Sequence, residues 1–530
     1  MSLKLSKTED EGPRTKEGGR RKEVRLSSFV VRRPSREAVL RPPSSVFGLP
    51  ALWLGLALAL IAVLLGALLA FAGPLITVGA LAALAVGLYA LTSLEVGLWG
   101  VIAIITLLPF GALPFKIVFT PTFLDLALLS VVLVYVFQWM TGRRRRLMLT
   151  PAHPFLAAFL ALAVFSFVAG LPNGPLTSNL LRHFAELLLS LFFTVIVVDY
   201  FDEREKLERM MRVILICGAA AAALGILLYF LPQTVSTRAL SALRVFGYPS
   251  GDVLRFIENN PENPQRAIAT SADPNVLGGL LAMIGGLLAP QLLAKKSIFG
   301  SRGWAYLAFG IVFFCLILTF SRGAMAALAV ALVGLALARY RRLFWIGLLV
   351  GLVLVLAVAF VPGARDYVAH FAAGVQGQDL ATQMRFGEYK DALILINRYP
   401  LLGVGFAGTP EIDTYLGVSS AYLVMTEEMG VVGLSVFCLT LLTVFGWGYF
   451  HRKRVFVDEK LMPLWLGAHA GLAAALTVGV VDHYFFNLDF QPAGTIFWIF
   501  VGLCLAATRL ASSPGDHPPA ASAYAEAAGG

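Results

Sequence analysis

Charge is scarce in this chain. Asp, Glu, Lys and Arg make up 14% of its 530 residues, against about 25% in an ordinary soluble protein. Hydrophobic residues make up 58%. A water-soluble core cannot hide that much apolar surface, so lipid must be the solvent for much of it. Cysteine is scarce too. Cys217, Cys315, Cys438 and Cys504 all lie inside apolar runs, with no CxxC or similar spacing, so neither a disulfide framework nor a metal site is expected. The Gly403-Val-Gly405 turn is followed by no Lys-Ser/Thr pair, which excludes a phosphate-cradling P-loop. The first apolar run starts near Ala51, too far along to read as a signal peptide.

What is present is a succession of apolar stretches, each about 20 residues long, the length that crosses a bilayer. They read as spans at 51–73, 75–92, 95–113, 121–140, 152–171, 179–199, 212–231, 272–294, 304–321, 323–339, 343–361, 420–449, 462–481 and 491–510. The expected fold class is all-α, a polytopic membrane helix bundle of about 14 transmembrane helices over residues 51–510. Residues 1–50 hold 12 Lys and Arg against 6 acids, a composition that suits a disordered basic cytosolic tail. Residues 511–530 read as a second disordered cytosolic tail.

The net charge of +10 points to topology rather than to nucleic acid, because Lys and Arg mark the cytoplasmic side of membrane proteins. With the N-terminus inside and the spans alternating, the clusters at Arg143–Arg146, Arg204–Arg212, Lys295 with Lys296 and Arg302, Arg339–Arg342 and Arg452–Arg454 all fall inside. Merging 304–339 into one helix would invert every later cluster. The expected location is the inner (cytoplasmic) membrane, multi-pass, with both termini cytoplasmic. Two outside loops are long, 232–271 and 362–419, and are expected to contain short helices. Loops of that length are usually functional or disordered, so the working surface is expected to face outward.

Four motifs stand in order in the second half. Arg266 is followed by Pro274-Asn275 at a helix start. Thr319-Phe-Ser-Arg-Gly323 interrupts two apolar runs. Arg385-Phe-Gly-Glu-Tyr-Lys-Asp-Ala392 runs into Tyr399-Pro-Leu-Leu-Gly-Val-Gly405. Tyr422-Leu423 is followed by Glu428-Met-Gly-Val-Val-Gly-Leu434. Over roughly 260–500 this order resembles the O-antigen ligase and O-antigen polymerase family of lipid-linked glycan transferases, which are GT-C-like membrane proteins. The family pattern usually has His-Asn just before the Tyr-Leu pair; this chain has Ser419 and Ser420. A serine hydroxyl cannot hold a proton at neutral pH as an imidazole does.

The resemblance implies transfer or polymerisation of glycan from a polyprenyl-diphosphate donor to a glycan or lipid acceptor, with membrane lipid as the other partner and no cofactor. Arginine suits the donor, since its planar fork grips phosphate bidentately and stays charged. Arg322 and Arg385 are the expected catalytic cations, with Arg266 a further binding group. No Asp-x-Asp lies in an outside loop, so no metal is expected. Proton removal could fall to Glu427, Glu428, Asp482, His483 or His370, with Glu428 favoured because it matches a family position. Tyr389, Ser419, Ser420, Asp482 and His483 complete the expected substrate-binding set. Phe386, Tyr389, Leu393 and Ile396 share one helical face beside Arg385.

Plainer roles stay open for the same residues. Arg322 could snorkel to headgroups, Arg385 could be a loop charge and Arg266 an interface anchor. Asp273-Pro274 is also a sound helix start, as Ser419 or Ser420 would be for the span at 420–449. The aromatics of 482–489 suit sugar rings or a membrane interface. Arg182 and Glu186, four apart, could pair. A secondary transporter and a non-catalytic glycan-export scaffold are the alternative functions.

Overall fold

The computed structural model describes residues 91–114, 118–360, 380–409 and 418–512, with isolated positions between 56 and 89 and at 116 and 376. Most of the expected spans at 51–73 and 75–92, the N-terminal tail, residues 513–530 of the C-terminal tail and His370 lie outside the described residues, while 511–512 continue the last helix. The chain divides into two units, 1–81 and 82–530. The second unit holds the helix bundle.

Its helices are α1 Leu94–Leu107, α2 Phe123–Met140, α3 His153–Gly170, α4 Ser178–Tyr200, α5 Arg204–Phe230, α6 Gln233–Ala242, α7 Pro274–Leu293, α8 Arg302–Leu318, α9 Arg322–Ala338, α10 Arg341–Phe360, α11 Leu380–Arg398, α12 Ala421–Val457, α13 Leu461–Val481 and α14 Gln491–Ser512. Strand is confined, among the described residues, to the antiparallel pair β1 Arg255–Phe256 and β2 Gln265–Arg266 and an isolated bridge at Ala112 and Thr122. The protein is an all-α membrane bundle. Eight described helices (α2, α3, α4, α5, α7, α12, α13 and α14) are long and apolar enough to cross a bilayer, while α1, α8 and α9 are apolar but shorter. These do not establish the expected count of 14. The long 232–271 segment holds α6, as expected of a loop with short helices, together with the small β pair.

Local sequence sets the boundaries. Thr122 and Asp125 form a reciprocal capping box at α2. Asp273 accepts from the Asn275 and Val276 amides, with Pro274 in the first turn of α7. Burial then sorts the helices. In α7 and α14, 89% of the apolar stretch is buried, against 28% in α2, so the first two lie inside the bundle. Leu126, Leu129, Leu133, Val136, Phe137 and Met140 of α2 stay exposed, a lipid-facing stripe on a helix that packs only one side. At the centre, a side chain at Gly286 would strike the Ala470 backbone and one at Gly471 the Met283 carbonyl. Such small residues let α7 and α13 approach backbone to backbone.

α12 is broken. Gly430 has φ 68°, and a Cβ there would sit 2.1 Å from the Leu401 carbonyl. The Pro400-Leu-Leu-Gly-Val-Gly405 segment lies in the break. Val404 and Gly405 donate to the Glu427 and Glu428 carbonyls at 2.7 and 3.0 Å, and Val431 and Val432 donate back to Pro400 and Leu401 at 2.8 and 3.3 Å. Backbone groups released inside an apolar bundle must find partners, and this loop supplies them.

One end of the bundle gathers basic residues in ion pairs: Arg144–Asp199 at 2.6 Å, Arg204–Asp458 at 3.1 Å and Arg209–Glu95 at 2.6 Å. At the other end the loops are stitched together. Thr270 bonds the Leu107 carbonyl, Ala267 that of Leu318, Ala112 that of Phe246, and Ala421 that of Asp482.

Candidate functional site

The site begins at the turn between α8 and α9. The Ser-Arg-Gly interruption is a true reversal, not a continuous helix. α8 stops at Leu318, Phe320 takes φ 54°, and α9 starts at Arg322. A left-handed non-glycine residue costs about 1–3 kcal/mol, so surrounding contacts must hold it. A Cβ on Gly323 would lie 2.6 Å from a Val481 methyl, so this glycine admits the end of α13 and with it Asp482.

Arg266, at the end of β2, is held by the same turn. Its Nε donates to the Thr319 carbonyl at 2.8 Å and its Nη2 to Asn275 Oδ1 at 2.8 Å. Arg266, Arg322, Arg385 and Asp482 line one cavity of about 100 Å³, with Asn275, Glu258 and Phe320. Three guanidinium groups separated by more than 50 residues each therefore meet at the loop-bearing end of the bundle.

Their fields register on one another. Burial, which disfavours charge, brings Arg266 down to about 10; Asp273 opposes this, while Arg385 and Arg322 push it further down. Arg266 still carries its charge at neutral pH. Asp482 is raised above the usual carboxylate range, by burial first; His483, Arg385 and Arg266 oppose the shift, and Asp273 adds to it.

The remaining expected residues divide. Tyr389 and Ser419 stand beside the cavity rather than in its wall. The Ser419 amide and hydroxyl both donate to Glu388 Oε2, at 3.0 and 2.6 Å, and the Tyr389 hydroxyl donates to the Ser419 carbonyl at 3.2 Å. Burial raises the Tyr389 phenol; Arg385 opposes, and Glu388 and Asp482 add to the shift, so these groups share one neighbourhood. Ser420 is the residue preceding α12, but its side chain makes no capping bond and reaches the Gly479 carbonyl at 3.4 Å. Glu428 does not line the cavity. It is buried beside the break in α12, where its carbonyl accepts from Gly405 and from the Ser166 hydroxyl. His483 also lies outside the wall, its ring 6.0 Å from that of Phe490. Neither reading of the 482–489 aromatics holds for Tyr484, Phe485 and Phe486. They are core residues, 2–3% exposed, and Phe485 stacks on Phe497 at 4.3 Å. The internal pair suggested by spacing exists: Arg182 reaches Glu186 at 3.4 Å and Asp125 at 3.1 Å.

Glu388 does not stand out in the sequence. Its position three residues after Arg385 puts it on the same helical face, and that spacing is the only available signal. Asn275 reads in the sequence as part of a helix start, though its carboxamide holds Arg266.

The fold and site define a multi-pass α-helical membrane protein with an arginine-lined cavity at one end. Residues 307–438, about a quarter of the chain, match the family model described as O-Antigen ligase. The match runs from α8 into α12 and takes in Arg322, Arg385, Glu388 and Ser419, supporting a membrane enzyme of the O-antigen ligase type, for which lipid-linked glycan and lipid are the general partners. No curated protein matches the chain.

Proposed function

We propose that the protein is a glycosyltransferase that transfers or polymerises glycan from a polyprenyl-diphosphate donor on the outer face of the cytoplasmic membrane. The convergence of Arg266, Arg322 and Arg385 on one cavity is the observation that carries this reading. A cavity lined by three arginines, of which Arg266 is fixed by two hydrogen bonds, fits a diphosphate, whose charge grows as the glycosidic bond breaks, and preorganised donors stabilise that growing charge without reorganising. A scaffold would have no need to bring these cations together.

In the reaction, an acceptor hydroxyl oxygen attacks the anomeric carbon of the donor. The carbon–oxygen bond to the diphosphate breaks, and its electron pair leaves on the polyprenyl diphosphate, held by the arginines. The acceptor proton passes to a carboxylate. The bonding of Glu388 to Ser419 next to Arg385 supports Glu388 in that role over the buried Glu428. Arg322, Arg385 and Arg266 act on the leaving group; Tyr389 and Ser419 position Glu388.

Pairing of basic residues at the opposite end supports a cytoplasmic assignment for that end, and hence cytoplasmic termini and a cavity facing outward. Fourteen spans in the inner membrane complete the proposal. Arg322→Ala and Arg385→Ala, each checked for normal membrane levels, should shorten or abolish the surface glycan. Unchanged glycan in both variants would overturn the transferase reading.

A further inference from the structure

A second, larger cavity shares Arg266 with the first. It measures about 460 Å³ and is lined by Phe110, Phe256 and Phe490 together with Arg255, Asn259, Asp273 and Asp489. The three rings come from separate segments: the turn after α1, β1 and the turn before α14. Phe110 and Phe490 meet edge to face at 5.8 Å, and the Phe110 amide donates to the Tyr248 hydroxyl at 3.2 Å, which fixes the backbone there.

The chemistry of this wall differs from that of the arginine cavity. Arg255 and Arg266 balance Asp273 and Asp489, so the wall carries no excess of either sign. It suits neither a second anion nor an isoprenoid chain, which would strip water from four charged groups and an amide and return no hydrogen bond. Aromatic faces interleaved with hydrogen-bonding groups match a neutral polyol. The C–H face of a sugar ring sits against the negative face of a phenyl ring, and its hydroxyls reach the polar groups. The volume falls within the range of about 300–1,000 Å³ typical of small-molecule pockets.

We infer that this second cavity is the sugar subsite of the donor, holding the saccharide next to the diphosphate, with Phe490 and Phe256 as stacking platforms and Arg266 marking the junction. The inference rests on the diphosphate reading of the first cavity. It makes the rings of this groove, rather than the arginines, responsible for telling a glycan-bearing lipid from a bare one.

The test uses the full chain in lipid nanodiscs and two probes: a polyprenyl diphosphate without sugar, and the same lipid carrying one hexose. Phe490→Leu and Phe256→Leu keep apolar bulk but remove the ring face. Each should weaken binding of the hexose-bearing lipid by about tenfold and leave the bare lipid within about twofold. Equal loss for both probes, or no loss for either, overturns the subsite. Arg322→Ala is run in parallel and should weaken both probes. If it weakens neither while the phenylalanine variants lose only the hexose-bearing lipid, the diphosphate reading fails and the sugar groove stands.

Discussion

Arg385→Gln separates the cost of assembling the cavity from its use. Without a bound anion, three guanidinium groups share one small space, and Arg266 is pushed down partly by Arg385. At an effective dielectric of about 20, each such like-charge pair costs on the order of 1–2 kcal/mol. Removing one charge relieves two of those pairs at the cost of its attraction to the acids around it, Asp482 among them. The ligand-free variant should therefore melt no lower than the wild type, and up to a few degrees higher. Pyrophosphate should reverse the order. A ligand at about 100 times its Kd stabilises by about 2.7 kcal/mol, whereas loss of a charge-assisted hydrogen bond costs about 1.5–3 kcal/mol. That is an affinity loss on the order of 10–100-fold. The assay is thermal unfolding in detergent across a pyrophosphate titration, with chloride at matched ionic strength as the control. Equal stabilisation of both proteins by pyrophosphate, or a ligand-free variant that is markedly less stable, would refute the idea that these arginines repel one another until an anion arrives.

Asp482→Asn should tighten pyrophosphate binding at alkaline pH, where the wild-type carboxyl is ionised, and flatten its pH dependence. The carboxyl pKa is raised by burial, so in the wild type the repelling charge disappears as pH falls through that raised value and anion affinity climbs; calorimetric titrations across pH read both effects. The same sign makes ionised Asp482 a destabilising group at high pH, so the Asn variant should lose less stability than the wild type as pH rises. Glu388→Gln keeps an acceptor for Ser419 but cannot take a proton; kcat should fall by about 10²–10⁴, with donor binding nearly unchanged by equilibrium binding assay. Gly430→Ala places a Cβ against the Leu401 carbonyl at positive φ and should lower stability by at least about 1–3 kcal/mol. Gly446→Ala, in the same helix with open space around it, should be neutral or slightly stabilising.

Much of the architecture is legible from one dimension. A bilayer demands a fixed length of apolar chain, and charge scarcity is a local property that can be counted. The expected segments from 95–113 onward each fall on a helix, and Thr319-Phe-Ser-Arg-Gly323 reads correctly as a break because an unbroken helix over 304–339 would overrun the bilayer and a charge cannot sit cheaply inside an apolar run. The role of Pro400–Gly405 is not legible. A loop that hydrogen-bonds into a break about 25 residues away leaves no periodic trace, and only the positive φ of Gly430 exposes it.

The sequence by itself determined that the chain is helical and lipid-facing, where its basic clusters lie, and that Arg266, Arg322 and Arg385 merit notice as cations of phosphate-binding type. Tertiary structure alone decided that these three share a cavity with Asp482, that Glu428 is buried away from them, and that Glu388 stands nearby. The physical reason is range. Helix and span formation depend on neighbours within a few turns, whereas a cavity lined by three arginines depends on where the ends of separate helices meet, and that follows from packing such as the close approach of α7 and α13.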